Sequence, residues 1–300
     1  MSDPIKNRFD FVYYFDVENG NPNGDPDAGN MPRVDPESGM GYVTDVCLKR
    51  KVRNFVEAVK EGEPGYEIYI KDGVPLNKSD RRAFEALGID AAQQKELKKL
   101  RKDDPMLDVK LRDYMCRAFY DVRTFGAVMT TFVKNNLNCG QVRGPVQFTF
   151  ARSVDPVFPQ EVTITRVAIT TEEAAESKDT EMGRKYVVPY ALYRCEGFVS
   201  ANLARKTTGF SEDDLELLWS ALLNMFDLDR SAARGLMSPR ALVVFKHDSE
   251  FGNAPANVLF DAVDVACRPS TNAPRSFAEY GGVEVDMSKI PSGVEVIRKL

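Results

Sequence analysis

Basic side chains at helical spacing give the strongest chemical signal in the sequence. Lys49, Arg53 and Lys60 recur along one flank of a predicted helix, and Arg50 lies further round it. A loop over 19–41, composed mostly of Gly, Pro, Asn and Asp, runs directly into that helix. Backbone N–H groups and side-chain amides beside a row of cations can hold the phosphates of a polyanion. A surface loop followed by a helix with a solvated charged face is the alternative, and this stretch alone leaves both open.

The same helix has a predicted start and an apolar side. Thr44 or Asp45 supplies the N-cap oxygen, and an acidic residue there suits the positive end of the helix dipole. Apolar residues then recur at the helical period, namely Leu48, Val52, Phe55, Val56 and Val59. The stretch therefore predicts an amphipathic helix over 45–60.

Two further arginines stand close to glycines. Arg123 precedes Gly126, and Arg143 directly precedes Gly144. Glycine lets a backbone approach a ligand closely, and a guanidinium matches phosphate oxygens in a bidentate way. Both arginines are candidates for lining one groove with the cationic helix.

Catalytic groups are scarce in the sequence. His247 is the only histidine, and in the run His247-Asp248-Ser249 the residue types of a triad are neighbours, whereas a catalytic triad needs side chains that converge in space. Asp16, at the end of the first strand, is a candidate metal ligand or a hydrogen-bonding residue. No motif of the type GxxxxGK[ST] is present. We predict no cofactor, and for His247 a structural or ligand-contacting role.

Residues 19–30 partly match a calcium loop. The asparagines Asn19, Asn21 and Asn23 alternate as metal ligands would, but the twelfth position is Asn30 rather than a bidentate Glu. The loop also follows a predicted strand instead of a helix. We therefore predict no bound metal, and interpret the asparagines as turn formers and amide donors.

Composition excludes several classes of protein. The chain has 300 residues, 43% of them hydrophobic and 28% charged, with a net charge of −5. No apolar run could span a membrane, and the five cysteines are widely spaced without a CxxC pair, which is typical of a reducing compartment. We expect a cytoplasmic protein, and because the total charge is acidic, any nucleic-acid binding must use a local basic surface.

Hydrophobic periodicity predicts an α+β fold. The elements follow the order strand 8–18, helix 45–60, strand 146–152, strand near 190–200, helix 212–226 and strand 241–246. This is the β-α-β-β-α-β order of a ferredoxin-like domain. Two additions interrupt it, a mostly helical insertion over 62–120 and a long hairpin around 160–190.

Shorter elements are also predicted. Helices are expected from Ser79 to Gly88, over 90–102 and from 106 to 120. Short strands are expected from Tyr66 to Ile70, Val258 to Val263 and Val294 to Ile297. Ser211 and Asp214 have the spacing of a capping box that opens the helix over 212–226.

Several motifs, spread over roughly residues 8–262, are specific in combination. They are NGNPNGDPD with VTDVCLKRKVRNF, DVRTFGAV, GQVRGPVQF with ARSVDP, RKYVVPYALYRCEGFVSANLA with TGF, and VVFKHDSEFGNAP. Together they resemble the crRNA-binding backbone subunits of the CRISPR Cascade complex, members of the RAMP superfamily, and most closely their type I-C branch.

The resemblance implies a hand-like protein. Its palm is a modified ferredoxin-like, RRM-like fold, made here by residues 1–61, 121–154 and 191–300. The insertion over 62–120 would form helical fingers, and residues 155–190 a hairpin thumb.

The resemblance also implies a non-enzymatic function. Copies would polymerise head to tail along a crRNA as a ribonucleoprotein filament, hold its backbone in a basic groove and present it for pairing with target DNA, alongside other Cascade subunits. An alternative is an endoribonuclease on the same fold, acting through His247, Asp16 or Asp179. A third is a small-molecule enzyme or metal-binding domain that uses residues 19–30.

The resemblance assigns RNA contacts residue by residue, to Asn19, Asn21, Asn23, Thr44, Lys49, Arg50, Arg53, Arg123, Arg143, Met182 and Arg184. Secondary candidates for RNA or subunit contacts are Arg33, Lys185 and His247. Arg123 and Arg143 either touch RNA or brace the palm. The thumb tip carries acidic side chains that phosphate would repel, namely Glu172, Glu173, Glu176, Asp179 and Glu181, so only 182–185 is expected to meet RNA.

Overall fold

The computed structural model describes residues 3–89, 100–134, 137–177, 179–268 and 274–300. Its strands are β1 (Phe9–Gly20), β2 (Gly24–Asp25), β3 (Met31–Pro32), β4 (Met40–Val43), β5 (Gly126–Val128), β6 (Gln141–Arg143), β7 (Val146–Phe148), β8 (Ala151–Pro156), β9 (Gln160–Arg166), β10 (Glu181–Val199), β11 (Leu236–His247), β12 (Val263–Val265), β13 (Val283–Val285) and β14 (Val294–Arg298). Its helices are α1 (Asp45–Val59), α2 (Leu76–Ala86), α3 (Leu107–Ala118), α4 (Tyr120–Phe125), α5 (Thr130–Lys134), α6 (Glu172–Ala175), α7 (Ala201–Leu203), α8 (Glu212–Leu228) and α9 (Ala256–Phe260).

An eight-stranded sheet is the centre of the fold. Its main path has the order β14-β11-β1-β10-β8-β4, and β7 and β9 also pair with β10. All of these pairings are antiparallel. The strand β1 lies between β10 and β11, pairing from Phe9 with Val199 to Gly20 with Val188 on one side. The predicted α+β class is confirmed to the extent that helices accompany an antiparallel sheet.

Helices cover one face of the sheet. Phe11 and Phe15 of β1 point into this layer, where Phe11 packs edge-on against Trp219 of α8 with ring centroids 5.2 Å apart. Phe15 stacks on Tyr193 of β10 at 5.4 Å. The helix α8 begins in the predicted capping box, because Ser211 and Asp214 each bind the other's backbone N–H. This layer is the main hydrophobic core.

The opposite face of the sheet is buried as well. Val12 and Tyr14 of β1 belong to a second cluster with Leu259, Phe260 and Tyr280. Burial on both faces explains why β1 is buried continuously from residue 9 to 17 instead of alternating. This second face is covered by side chains from residues 254–265 and 277–285.

A separate core holds the inserted segment. Side chains from Tyr69 to Val142 form their own cluster, in which Phe84 of α2 packs edge-on against Phe132 of α5 at 5.2 Å. The cluster thus uses residues beyond position 120, where the predicted insertion ended, because α4, α5 and the β5–β6 hairpin close it.

A long hairpin extends from the sheet. The strands β9 and β10 pair from Gln160 with Val187 to Arg166 with Glu181. Every residue of β9 is exposed, so this ladder projects away from the hydrophobic layers. The hairpin predicted around 160–190 is confirmed.

Several local predictions need correction. Residues 258–263 do not form a strand, since α9 follows Pro255 there and only 263–265 is extended. Residues 66–70 make one isolated bridge, Glu67 with Phe119, instead of a strand. Ser79 is not an N-cap, because α2 already begins after Pro75.

Other local predictions are confirmed, and one lies partly outside the structure. The strand predicted near 294–297 is β14. Two predictions need correction: the strand predicted over 146–152 is divided into β7 and β8, and the break that Pro189 predicts is absent, because β10 runs through that residue. Of the charged helix predicted over 90–102, residues 90–99 lie outside the described residues. Within the described ranges, no helix is long and apolar enough to cross a membrane.

We expect Gly197→Ala to destabilise the sheet, because a Cβ at position 197 would lie 2.0 Å from Cζ of Phe11. Overpacking of this kind costs about 1–3 kcal/mol or more, and urea denaturation measures it. Gly183→Ala on the same strand is the matched control, since its Cβ would meet Ile164 at an ordinary 3.4 Å. Equal losses of stability for the two variants would contradict the close approach of Phe11 to the β10 backbone.

Candidate nucleic-acid interface

The loop after β1 is fastened to the start of α1. Oδ1 of Asn23 accepts hydrogen bonds from the backbone N–H and the hydroxyl of Thr44, both at 3.0 Å. Thr44 is the N-cap of α1 and accepts from the backbone N–H of Cys47. Thr44, rather than Asp45, therefore caps the helix, and the side chains of both Asn23 and Thr44 are occupied within the chain.

The other two asparagines of the loop differ from each other. Asn21 is buried, and its Nδ2 donates to the carbonyl of Asn30 at 2.7 Å. Asn19 is exposed and has a positive φ of 50°, a conformation that asparagine tolerates better than most residues. Of the three predicted amides, only Asn19 is free to meet a ligand without rearrangement of the loop.

Lys49 and Arg50 are half-buried on the flank of α1. Nζ of Lys49 contacts Oδ2 of Asp45 at 2.9 Å and Oε1 of Gln147 at 3.2 Å. Arg50 donates to the carbonyl of Ile70 at 2.8 Å. The two cations thus connect the helix to β7 and to the inserted segment. Each side chain remains partly exposed to solvent.

The sequence predicted that Arg53 lies on a basic surface, but the structure buries it in the interior. Arg53 is 6% exposed, and its Nε donates a hydrogen bond to Oδ2 of Asp121 at 2.8 Å. Asp121 also accepts from the backbone N–H groups of Tyr69 and Ile70. Because the inserted segment covers this flank of α1, Arg53 fastens the helix to the insertion and does not line a groove. Lys60, at the end of the flank, pairs with Glu63.

The sequence left open whether Arg123 contacts a ligand or supports the fold, and its buried position in the structure decides this. Its side chain is 1% exposed and forms two hydrogen bonds to the carboxylate of Asp214, at 2.9 and 2.7 Å. The guanidinium also lies over the rings of Tyr66 and Tyr120, at 5.0 and 5.2 Å from their centroids. Arg123 therefore braces the core.

Arg143 has the opposite environment. It is exposed, and no ion pair or hydrogen bond of its side chain is made within the described residues. The turn that carries it depends on glycine, because a Cβ on Gly144 would lie 2.2 Å from the carbonyl carbon of Phe125. The close approach of Gly144 to Phe125 and Gly126 holds Arg143 at the end of β6 with its guanidinium in solvent.

The candidate residues on the β9–β10 hairpin occupy both of its faces. Met182 lies opposite Thr165, and Arg184 opposite Thr163, so the two share one face, where they are 75% and 71% exposed. Lys185 lies on the other face, opposite Val162. Arg184 approaches Glu161 at 3.3 Å, a surface contact that a ligand can replace.

Arg33 and His247 are both occupied within the chain. Arg33 pairs with Asp25 at 3.4 Å. His247 is fully buried, its Nδ1 accepts from the backbone N–H of Asn253 at 2.8 Å, and its Nε2 is 2.9 Å from Oδ2 of Asp10. The acceptor role of Nδ1 leaves the ring proton on Nε2, which donates to Asp10. This histidine is structural.

Asp16 is likewise an interior residue. It accepts from Nε of Arg240 at 2.7 Å and from the hydroxyl of Tyr190 at 3.0 Å, and burial raises its pKa. Asp16 and His247 were candidates for RNA cleavage, but neither reaches the surface. Among the described residues, no group of three His, Cys, Asp or Glu side chains is arranged to hold a metal ion.

Sequence reasoning missed one exposed arginine. Arg152 lies on β8 with its side chain 63% exposed and 3.7 Å from Asp35. It is beside a stacked aromatic pair, Tyr42 and Phe150, whose rings are 6.2 Å apart and nearly parallel. Arg152 lies between buried Ala151 and buried Ser153, and the sequence signal for it was a cation between two small side chains at the end of a predicted strand.

The candidate RNA-contacting residues lie one after another along the length of β10. Arg184 lies on β10 itself, Gly20 beside the asparagine loop pairs with Val188, and Arg152 pairs with Arg194. Gln147, the partner of Lys49, pairs with Phe198, and Arg143 lies just beyond. The structure thus distributes exposed or half-exposed cations along the whole length of this strand, from the β9–β10 hairpin to the start of α7.

Comparisons with known proteins give consistent matches. A model of the family described as CRISPR-associated protein Cas7 matches residues 7–286. A CRISPR-associated protein Cas7 of Haloferax volcanii is 25% identical over 309 residues, covering 96% of this chain and 83% of that protein. Two solved chains are similar in fold. One, from a CRISPR RNA-guided surveillance complex, pre-nicking, has 16% identity and a TM-score of 0.49 over 84% of this chain and 81% of its own. The other, from a CRISPR RNA-guided surveillance complex, has 15% identity and a TM-score of 0.45 over 84% and 73%.

Proposed function

Because the chain belongs to the Cas7 family of CRISPR-associated proteins, we propose that it is a non-enzymatic RNA-binding subunit of a type I interference complex. Copies of it line a crRNA, hold the guide backbone and leave its bases free to pair with target DNA. The observation that carries this proposal is the family match over residues 7–286. The motifs that resemble the type I-C branch favour that branch, with other Cascade subunits as further partners.

The parts of the proposed hand correspond to parts of the fold. The strands β11, β1, β10 and β7 are neighbours in that order, with α1 and α8 on one face, and this layer is the ferredoxin-like palm. The separate core that ends at Val142 is the finger unit, so we extend the fingers beyond residue 120. The hairpin of β9 and β10 is the thumb.

The proposed path of the RNA follows β10. Exposed or partly exposed side chains along it would contact phosphates and sugars, namely Asn19, Lys49, Arg50, Arg143, Arg152, Met182, Arg184 and Lys185. Asn21, Asn23, Thr44 and Arg33 hold the loop in shape. Since the other sheet face is covered, we propose recognition through the backbone instead of base stacking on the sheet. Arg53, Arg123 and His247 support the fold.

The test is a charge reversal at two exposed cations. We expect Arg143→Glu/Arg184→Glu to weaken binding of a guide-length RNA at least about tenfold. The slope of log affinity against log salt should also become shallower, by about 0.7 for each phosphate that the variant no longer neutralises. Fluorescence anisotropy at several salt concentrations measures both quantities.

The control carries the same change of charge elsewhere. Lys6 and Lys78 are exposed, and neither forms an ion pair within the part of the chain that the structure describes. Lys6 precedes β1, at the end remote from the asparagine loop. Lys6→Glu/Lys78→Glu should therefore keep nearly normal affinity. Equal losses of affinity in the two double variants would mean that only total charge matters, and the proposed path would be wrong.

A further inference from the structure

A row of two tyrosines and two arginines crosses four strands of the sheet. Tyr42 of β4 pairs with Arg152 of β8, Arg152 with Arg194 of β10, and Arg194 with Tyr14 of β1. Residues that lie directly opposite each other in an antiparallel pair share one face of the sheet. Since Tyr14 belongs to the second core cluster, the whole row lies on the second face.

The cover of this face ends within the row. Tyr14 is fully buried, whereas the side chain of Arg194 is 24% exposed and that of Arg152 is 63% exposed. The guanidinium of Arg194 donates to the backbone carbonyls of Val263 and Phe260, at 2.9 and 2.7 Å, and so fastens the end of the cover to the sheet. Beyond it, the border of the sheet at Arg152 is open to solvent.

A cavity of about 530 Å³ lies at this border, a volume typical of sites for small ligands. Its charged lining consists of three arginines and three carboxylates, namely Arg152, Arg194, Arg268, Glu196, Asp261 and Asp264. Arg194 pairs with Glu196, and Arg268 with Asp264. Because these charges balance, the cavity suits a neutral polar ligand better than a simple ion.

An aromatic ring forms one wall of the cavity. Phe150 lines it and is 49% exposed, and its ring lies nearly parallel to that of Tyr42, with an interplanar angle of 5°. A half-exposed ring beside an arginine is the arrangement on which unpaired bases stack. The exposed Asp261 forms no ion pair within the described residues, so its carboxylate is available as a hydrogen-bond acceptor.

We propose that this cavity binds one unpaired nucleobase of a single-stranded nucleic acid. The ring of Phe150 stacks on the base, the carboxylate of Asp261 accepts a hydrogen bond from an exocyclic amino group, and Arg152 binds the adjoining phosphate. Adenine, guanine and cytosine carry such an amino group, whereas uracil does not. The inference adds one base contact, at the border of the sheet, to the backbone contacts of the proposed function, and it rests on that function only for the source of the strand.

Substitutions of Phe150 test the stacking. We expect the unmodified protein to bind a short adenine-rich RNA at least about fivefold more tightly than an abasic RNA of the same length. Phe150→Leu should abolish this preference and leave the affinity for abasic RNA unchanged, whereas Phe150→Trp should keep the preference because an indole also stacks. Fluorescence anisotropy measures these affinities. Phe158→Leu is the matched control, since Phe158 is 63% exposed but does not line this cavity.

The outcomes separate this inference from the proposed function. If RNA bound but Phe150→Leu kept the preference for bases, the cavity would hold no base, while the proposed function would stand. The same strands made of DNA identify the source. A Phe150-dependent preference with RNA alone would support the cavity as a site for the guide, and one with both strands would support it as a site for any unpaired base.

Free nucleotides test the cavity even if the protein bound no RNA. The chain has one tryptophan, Trp219, which is buried, so the fluorescence of the Phe150→Trp variant reports on the cavity. We expect AMP and CMP to quench it at concentrations at least about threefold lower than UMP, which lacks the amino group. Adding Asp261→Ala should remove this difference. Quenching by ribose 5-phosphate as effective as that by AMP would reveal an anion site without base recognition and would overturn the proposal.

Discussion

We expect Arg123→Ala to be among the most destabilising single substitutions in the chain. The side chains of Arg123 and Asp214 are 1% and 0% exposed, and the substitution would leave the Asp214 carboxylate in the core without its cation. Breaking a buried pair by removing one partner costs about 3–5 kcal/mol. For a chain of this size, the melting temperature should fall by roughly 10 °C.

Urea denaturation and thermal unfolding both measure this effect. Arg117→Ala is the matched control, because Arg117 is exposed and only donates to a carbonyl; it should change stability by less than about 0.5 kcal/mol. Below its melting temperature, the Arg123→Ala protein should still bind RNA through the exposed cations. A loss of RNA affinity without a loss of stability would contradict the structural role and indicate that Arg123 contacts RNA.

Local chemistry made several features predictable from the sequence. Ser211 and Asp214 form the predicted capping box because such a box needs only a spacing of three residues at a helix start. The sequence narrowed the N-cap of α1 to Thr44 or Asp45, and the structure selects Thr44, whereas the exposure of Arg143 was left open. The long hairpin was predictable because β9 alternates and an acidic turn follows it.

Predictions from neighbouring residues failed where a side chain pairs with a residue far away in the sequence. Arg53 has the spacing of a surface flank, but its partner Asp121 is 68 residues away, and periodicity does not reveal that another segment covers the helix. Lys51, on a different side of α1, is buried for a similar reason by its pairing with Asp229. Helical spacing therefore predicted the helix correctly but could not separate cations that bind a ligand from cations that hold the core.

The pair formed by Arg53 and Asp121 allows these two roles to be tested directly. We expect Asp121→Asn to cost about 3–5 kcal/mol, because the guanidinium of Arg53 would remain in the interior without a counter-charge. The asparagine keeps an oxygen for the N–H of Tyr69, which binds Oδ1 of Asp121 at 2.8 Å. The amide nitrogen would replace Oδ2, which also accepts from the N–H of Ile70 at 3.1 Å, so the loss combines the unpaired charge of Arg53 with the lost acceptor of Ile70. Urea denaturation measures it.

The double variant Arg53→Met/Asp121→Asn should recover at least about half of that stability, because an apolar side chain of similar length replaces the buried cation. Its affinity for RNA should equal that of the unmodified protein, since neither side chain of the pair reaches the surface. If the double variant were no more stable than Asp121→Asn, the pair would not be an electrostatic unit. If it were stable but bound RNA weakly, Arg53 would have to leave Asp121 when RNA binds, and the flank of α1 would belong to the RNA path after all.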